Sequence, residues 1–388
     1  MKLGLVIEGG GMKCAYTAGI LDRMLDDGLH PDYVIGVSAG ASCGASFVAG
    51  QKDRNRRFFV DHVSEPDYMG WTAFRHSGGN FFNLEYIYQD LTGRDGADPL
   101  DYDAIINNPC EFWAVATDAE TALPYYFTKK DISPTDYSVF MATCAIPVAC
   151  RPVEIGGHLY YDGGCSNPIP VRRALEAGCD RVILLLCRPK DTVRAPEKHR
   201  AVYHKALARF PKLIHSLDVR HERYNASLRA ARRLEEKGHA LIIAPQKELD
   251  ITTYTKDPGV LQGLYDTALL ESLTRMGPAL AEKAAAVCEG KLGQTPLSAV
   301  ILAVFCNIMI YIAVEGYKTI PHEVGKYLAI LFGVIVFILC GFEHCVANMY
   351  YFTMGGAWSW KAAGYLLLMT AGNAAGGVLI PLLRRIAK

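Results

Sequence analysis

Tyr33-Val34-Ile35-Gly36-Val37-Ser38-Ala39-Gly40-Ala41-Ser42 is the stretch around which the rest of the chain is organised. Residues 33–37 are apolar and largely β-branched, as a buried strand requires. Residues 39–49 are small and apolar, as a helix packed tightly beneath a turn would be, and Gly50 is its stop. Between them, Gly36-x-Ser38-x-Gly40 has the strand–turn–helix context of a nucleophile elbow. There the serine adopts a strained backbone, and the flanking glycines remove Cβ atoms that would clash with it. The following helix aims its N-terminal amides at the same place, where a developing oxyanion would be stabilised. The pattern also fits a plain Gly-Ser turn between a strand and a helix, so the motif alone leaves both readings open.

Length and composition bound the answer. The 388 residues are enough for two domains, and 40 Lys plus Arg balance 40 Asp plus Glu, so no global field argues for nucleic acid as a partner. The 12 cysteines are scattered without a C-x-x-C pair, most of them in apolar runs (Cys144, Cys150, Cys187, Cys306, Cys340). Buried thiols in a reducing cytoplasm are expected, with no disulfide, metal or cofactor. A strand over 3–7 begins almost at the first residue, which leaves no room for a targeting segment. Up to about residue 292 the chain alternates like a soluble protein, whereas 297–386 is dominated by long apolar runs. The break sets an expected division between a domain of residues 1–290 and a membrane segment of 296–388.

The first strand runs into Glu8-Gly9-Gly10-Gly11-Met12-Lys13-Cys14, then a helix with Ile20, Leu21, Met24 and Leu25 on one face, stopped at Gly28. This geometry presents backbone N–H groups to an anion. In a dinucleotide fingerprint Cys14 would stand in the third glycine's place, where close packing needs no side chain. The alternative is an oxyanion hole with Lys13 as a nearby positive charge. One helix and one strand separate this loop from Ser38, so a βαβ unit brings both to one sheet edge, and the oxyanion reading is preferred.

Residues 51–100 are irregular and rich in aromatics and charge: Arg54, Arg56 and Arg57 precede Phe58 and Phe59, then Trp71, Phe74, Phe81, Phe82, Tyr86 and Tyr88 follow. A helical cap with its own core aromatics is the first reading, an acyl-chain pocket or lid the second. Strands are expected over 112–117 and 125–128, a helix over 137–144, and a hairpin over 153–161 turning at Gly156-Gly157. The hairpin leads into Asp162-Gly163-Gly164, where the aspartate can reach another loop or cap its own turn. A helix over 170–178, strands over 181–187 and 241–244 and a long helical region over 198–237 complete this part.

The loop Gly9-Gly10-Gly11-Met12-Lys13, then Gly36-Val37-Ser38-Ala39-Gly40, then Asp162-Gly163-Gly164 resemble, in that order, the motifs of patatin-like phospholipases. Ala145-Ile146-Pro147 and the hairpin into Asp162 add to the resemblance, which spans roughly 1–290; Cys14 departs from the family's glycine. The resemblance implies a three-layer α/β/α sandwich carrying a Ser38–Asp162 dyad without a catalytic histidine. It also implies an oxyanion hole at Gly10, Gly11 and Met12, with Gly9, Lys13, Gly36, Gly40, Gly163 and Gly164 in support. The implied substrate is a membrane phospholipid or another acyl-ester lipid. A competing Ser–Asp–His triad would use Ser38, then Asp118 or Asp162, then His199, His204 or His215; these histidines fall in a charged helical region, where surface positions are expected.

Three spans are expected in the C-terminal segment, over 297–314, 327–349 and 361–383, the second broken by Gly341-Phe342-Glu343-His344. The stretch 341–350, with Cys306-Asn307 and Gly372-Asn373, closely resembles the second half of the formate/nitrite transporter family. The resemblance implies an all-α membrane segment, possible self-association within the bilayer, and Asn307 and His344 as pore-type residues. The matching first half is absent, so independent transport by this chain is not expected; the alternative is formate/nitrite-type anion transport by this segment only if another chain completes the pore. Lys318, Lys326, Arg384, Arg385 and Lys388 fall on one side of the spans and Lys291 and Lys361 on the other. The positive-inside rule thus places the C-terminus in the cytoplasm and the hydrolase domain outside. A folded domain without a signal peptide stays inside; the expectation retained is a multi-pass protein of a bacterial inner membrane with the catalytic domain on the cytoplasmic side.

Overall fold

The parallel core comes from three apolar segments, β1 (Leu3–Ile7), β2 (Tyr33–Val37) and β7 (Arg181–Leu185), whose side chains are buried on both faces. These belong to a computed structural model that describes residues 1–276, 278–339, 341–354 and 356–386; Cys340 and Lys388 lie outside the described residues. With β3 (Glu111–Asp118), β4 (Pro124–Thr128), β5 (Val153–Ile155), β6 (His158–Asp162) and β8 (Ala240–Ile243) they form one sheet. Its order is β5-β6-β3-β2-β1-β7-β8, with β4 paired to β3 off that path. The run β3-β2-β1-β7-β8 is parallel, and β4, β5 and β6 add antiparallel pairs.

Helices cover both faces. Val6, Ile35, Val37 and Leu184 pack with Tyr224, Leu228 and Ala231 of the helix Arg220–Glu236. On the other face, α2 (Ala39–Val48) lies so close that a Cβ on its Gly44 would meet Ile7 and Val34 at 3.1 and 3.2 Å. α1 (Cys14–Asp26) buries Ile20, Leu21 and Met24 of the expected face, with Leu25 half-buried. The region 198–237 is three helices: Arg200–Ala206, Pro211–Asp218 and Arg220–Glu236. Pro211 opens the second, because proline suits a first turn and not a helix interior.

The chain divides into two compact units, Met1–Ser272 and Leu273–Lys388. In the second unit two helices, Pro296–Thr319 and Trp360–Ile386, are long and apolar enough to cross a membrane. The middle apolar run is divided: Glu323–Leu339 has 17 residues, residues 342–344 are not helical, and a helix resumes at Cys345–Met354. Gly341, with φ +64°, stands at the break.

Candidate active site

Because β1 and β2 pair in parallel, the loops that follow them leave the same carboxyl edge of the sheet. Ser38 caps α2 with φ +54° and ψ −138°, a conformation L-residues rarely adopt. Gly36 permits the bend, since a Cβ there would sit 2.4 Å from Ala41 Cα. Gly9 closes on it from the other loop, where a Cβ would fall 2.7 Å from that of Ser38. Gly40 starts α2 against the Glu8 carbonyl.

Asp162 ends β6, and its amide donates to the Ala145 carbonyl at 2.9 Å. Its carboxylate accepts from the Gly164 amide at 2.7 Å, within the short turn Gly163–Cys165. Two threonines fix the pair. The Ser38 amide donates to Thr143 Oγ1 at 2.9 Å, and the Thr143 hydroxyl donates to the Val115 carbonyl. Thr117 donates to the Asp162 carbonyl at 2.9 Å. Neither threonine stands out in the motif pattern; the available signal is a hydroxyl in an apolar element, which must find a backbone partner.

Ser38 and Asp162, each 6% exposed, line one cavity of about 480 Å³. Burial pushes the Asp162 carboxyl above the usual carboxylate range. Ser38, the charge of Arg220 and the Gly164 amide oppose that shift, each favouring the ionised form. The same cavity is lined by Glu8, Gly9, Gly10 and Gly11. Among the described residues, the amides of Gly10, Gly11 and Met12 donate to no protein acceptor. Lys13 is buried and ion-paired, its Nζ 2.9 Å from Glu248 Oε1. Cys14 lies beyond these amides, with its Sγ 3.5 Å from that of Cys187.

Ser38 also lines a second, narrow cavity of about 60 Å³ with apolar walls from Phe58, Phe59, Tyr68, Phe82, Leu84 and Ile87. Phe58, Phe59, Tyr68 and Phe82 are thus buried in a wall that opens onto the serine, whereas Trp71 and Phe74 are exposed. Arg54 is buried in the same wall and donates to Ser46, Thr92 and the Asp98 carbonyl. Burial would raise the Asp98 carboxyl, but hydrogen bonds from Arg57 and His62 and the charge of Arg54 hold it well below the usual range.

The histidine alternatives are dispersed. Among the described residues no histidine is hydrogen-bonded to Ser38 or Asp162. His204 faces Asp218 at 3.0 Å, His215 is exposed, and His199, also exposed, lines the larger cavity. The Asp118 carboxylate is occupied by the Thr121 amide at 2.7 Å and its hydroxyl at 2.8 Å.

In the second unit, a polar network occupies the helix break. The Glu343 carboxylate accepts from Lys291 at 2.6 Å, Gln294 at 2.9 Å and Asn348 at 2.7 Å. Asn373 donates to the carbonyls of Ala303 and Glu343 at 2.8 and 2.9 Å and accepts from the Cys345 amide at 2.9 Å. Asn307 donates to the Asn373 carbonyl at 2.7 Å, and His344, half-buried, precedes the resumed helix, its backbone carbonyl accepting from the backbone N–H of Asn348 at 2.9 Å. Lys291, counted in the sequence as a loop charge, is thus the counter-ion of Glu343.

Comparison with known proteins agrees with both halves of this picture. Residues 5–175 match the patatin-like phospholipase model, 261–385 the formate/nitrite transporter model, and 210–277 a domain-of-unknown-function model, DUF6363. Protein YjjU of Escherichia coli K12 is 27% identical over 50% of this chain and 55% of its own length. Transporter YrhG of Bacillus subtilis is 34% identical over 31% of this chain and 47% of its own. The NTE family protein Rv1063c of Mycobacterium tuberculosis is 25% identical over 47% and 48%. The chain spans about half the length of the curated relatives it matches. The chain thus joins a region that matches the patatin-like phospholipase model to one that matches the formate/nitrite transporter model and carries two span-length apolar helices.

Proposed function

We propose that the chain is a serine lipid acyl hydrolase held at a membrane by its C-terminal helices. The observation that carries this reading is the position of Ser38 between two unlike cavities, one apolar and one polar, beside a buried carboxylate. A lipid ester has that same division, with an acyl chain on one side of the reacting carbonyl and a polar group on the other.

Ser38 Oγ attacks the ester carbonyl while Asp162 accepts its proton. A carboxylate is a weak base toward a hydroxyl, and the burial that raises Asp162 narrows the gap. The carbonyl oxygen, now negative, accepts from the amides of Gly10, Gly11 and Met12; losing one such donor typically costs about 10²–10³ in rate. The protonated Asp162 returns its proton to the leaving alcohol, and water then cleaves the acyl-enzyme with Asp162 again as base. Glu323–Leu339 and Cys345–Met354 make the third, broken crossing, and the closed network at Glu343 favours an anchoring role for this segment over conduction. Orientation with the hydrolase unit in the cytoplasm and self-association through the spans belong to the same reading.

The test is release of fatty acid from phospholipid vesicles by the full chain. Replacing His199, His204 or His215 singly should leave turnover nearly intact; one inactive histidine variant would replace the dyad with a triad.

A further inference from the structure

The polar cavity beside Ser38 gathers its cations on one wall, where they share carboxylates. Four cations line it: Lys13, Arg188, Arg194 and Arg220. Two partly exposed carboxylates serve them in pairs. Glu248 contacts Lys13 at 2.9 Å and Arg188 at 3.0 Å, while Glu197 contacts Arg194 at 3.3 Å and Arg220 at 3.5 Å. The other acids on this wall, Glu8 and Asp162, are buried, and burial pushes both toward their neutral forms.

Building on the hydrolase reading above, we propose that Arg188, Arg194 and Arg220 bind a phosphate-bearing headgroup on the lipid whose ester Ser38 attacks. The sheet order supplies the spacing. Ser38 follows β2 and Arg188 follows β7, with β1 between them, so the two segments leave the edge about 10 Å apart. In a glycerophospholipid only a few bonds separate the ester carbonyl from phosphorus, and an arginine reaches back across the remaining gap.

Two of the three guanidinium groups are held in place by further contacts. Arg220, on the cavity wall, donates from Nε to the Gly164 carbonyl at 2.6 Å, close to Asp162, and its Nη1 makes a long contact of 3.5 Å to Glu197. Arg194 lies over the Tyr224 ring, 5.2 Å from its centroid. Arg194 is pushed down to about 10 by burial and by the charges of Arg220 and Arg188, a crowding that an arriving anion would relieve. Planar guanidinium groups match phosphate oxygens bidentately, where a lysine offers only a point charge. An anion against Arg220 would also cancel part of the field that keeps Asp162 ionised, making it a stronger base when the lipid is bound.

The test compares kcat/KM of the full chain on phosphatidylglycerol and on diacylglycerol with the same acyl chains, in mixed micelles. Arg188→Gln and Arg194→Gln should each lower the ratio of the two by about 10- to 100-fold, with Arg188→Lys recovering part of it. Inorganic phosphate is titrated against diacylglycerol cleavage. Inhibition that vanishes in Arg188→Gln adds the free ion as a ligand, and its absence with intact lipid discrimination assigns the site to the headgroup. Equal losses on both esters, or an unchanged ratio, overturn the proposal. If the wild-type chain cleaves neither ester, the hydrolase reading has failed. The arginine site is then decided by calorimetric binding of glycerol phosphate, expected in the wild type and lost in Arg188→Gln; no binding overturns it.

Discussion

The carboxyl edge of the sheet and the helix break of the second unit both bury polar groups, but they treat them differently. At the break, Glu343 is met by three donors, and Asn373 uses its donor and acceptor together. In that network Asn348 Oδ1 alone lacks a partner among the described residues. At the sheet edge, the loop amides of Gly10, Gly11 and Met12 have no acceptor there, Ser38 is strained, and Asp162 is desolvated. A network this nearly satisfied rigidifies a structure. Polarity left open around a strained residue is what binding and catalysis use. The contrast separates a site from a scaffold without reference to any relative.

The sharpest way to break it is to remove the two side chains proposed to react. Ser38→Ala and Asp162→Asn should each lower ester hydrolysis by at least about 10³-fold, measured as fatty-acid release. In the second unit, Lys291→Met strands the Glu343 charge and should cost on the order of 3–5 kcal/mol, seen as earlier thermal unfolding in detergent. Reactivity at Ser38 should be unchanged in that variant. If Lys291→Met is silent, the break is not a closed scaffold, and the comparison loses one side.

How much of this is legible in the sequence follows from what each residue needs locally. The elbow and the glycine loop are legible because strained or crowded backbone demands glycine, and that demand is written at Gly36 and Gly9. Asp162 is legible through the hairpin that ends in it. The arginine cluster is not, since Arg188, Arg194 and Arg220 come from separate segments that only the β1–β7 pairing and the following helix gather. Thr143 and Thr117 look like any threonine in an apolar run. The pairing of Lys291 with Glu343, 52 residues apart, has no local sign either.

Smaller effects refine the site. Thr143→Val removes the acceptor of the Ser38 amide and a donor to the Val115 carbonyl, and should cost about 1–3 kcal/mol of stability and about 10-fold in kcat. The acid limb of the kcat/KM profile should lie above the ordinary carboxylate range, because the proposed mechanism uses ionised Asp162 and burial raises its pKa. A folded pKa above the unfolded one means stability is fullest below the unfolded value and is lost as pH rises through the folded one. Asp162→Asn should therefore melt higher than the wild type at neutral pH, and a lower melting point would contradict that burial cost.

The weakest expected signal comes from Asp22, raised to about 6 by burial, with Tyr265 and the Asp53 amide opposing. Its contribution is present below the ordinary carboxylate pKa of about 4 and lost as pH rises through 6. Asp22→Asn should raise the melting temperature at neutral pH by a few degrees and do nothing at pH of about 4. Equal shifts at both pH values would assign the effect to packing.

The central claim is that Ser38 is a nucleophile, and covalent labelling addresses it directly. The full chain, treated with a fluorophosphonate and digested for peptide mass spectrometry, should carry one adduct, on Ser38. That adduct should be absent in Ser38→Ala and form far more slowly in Asp162→Asn. A chain that takes up no label, or whose label survives Ser38→Ala, contradicts the account.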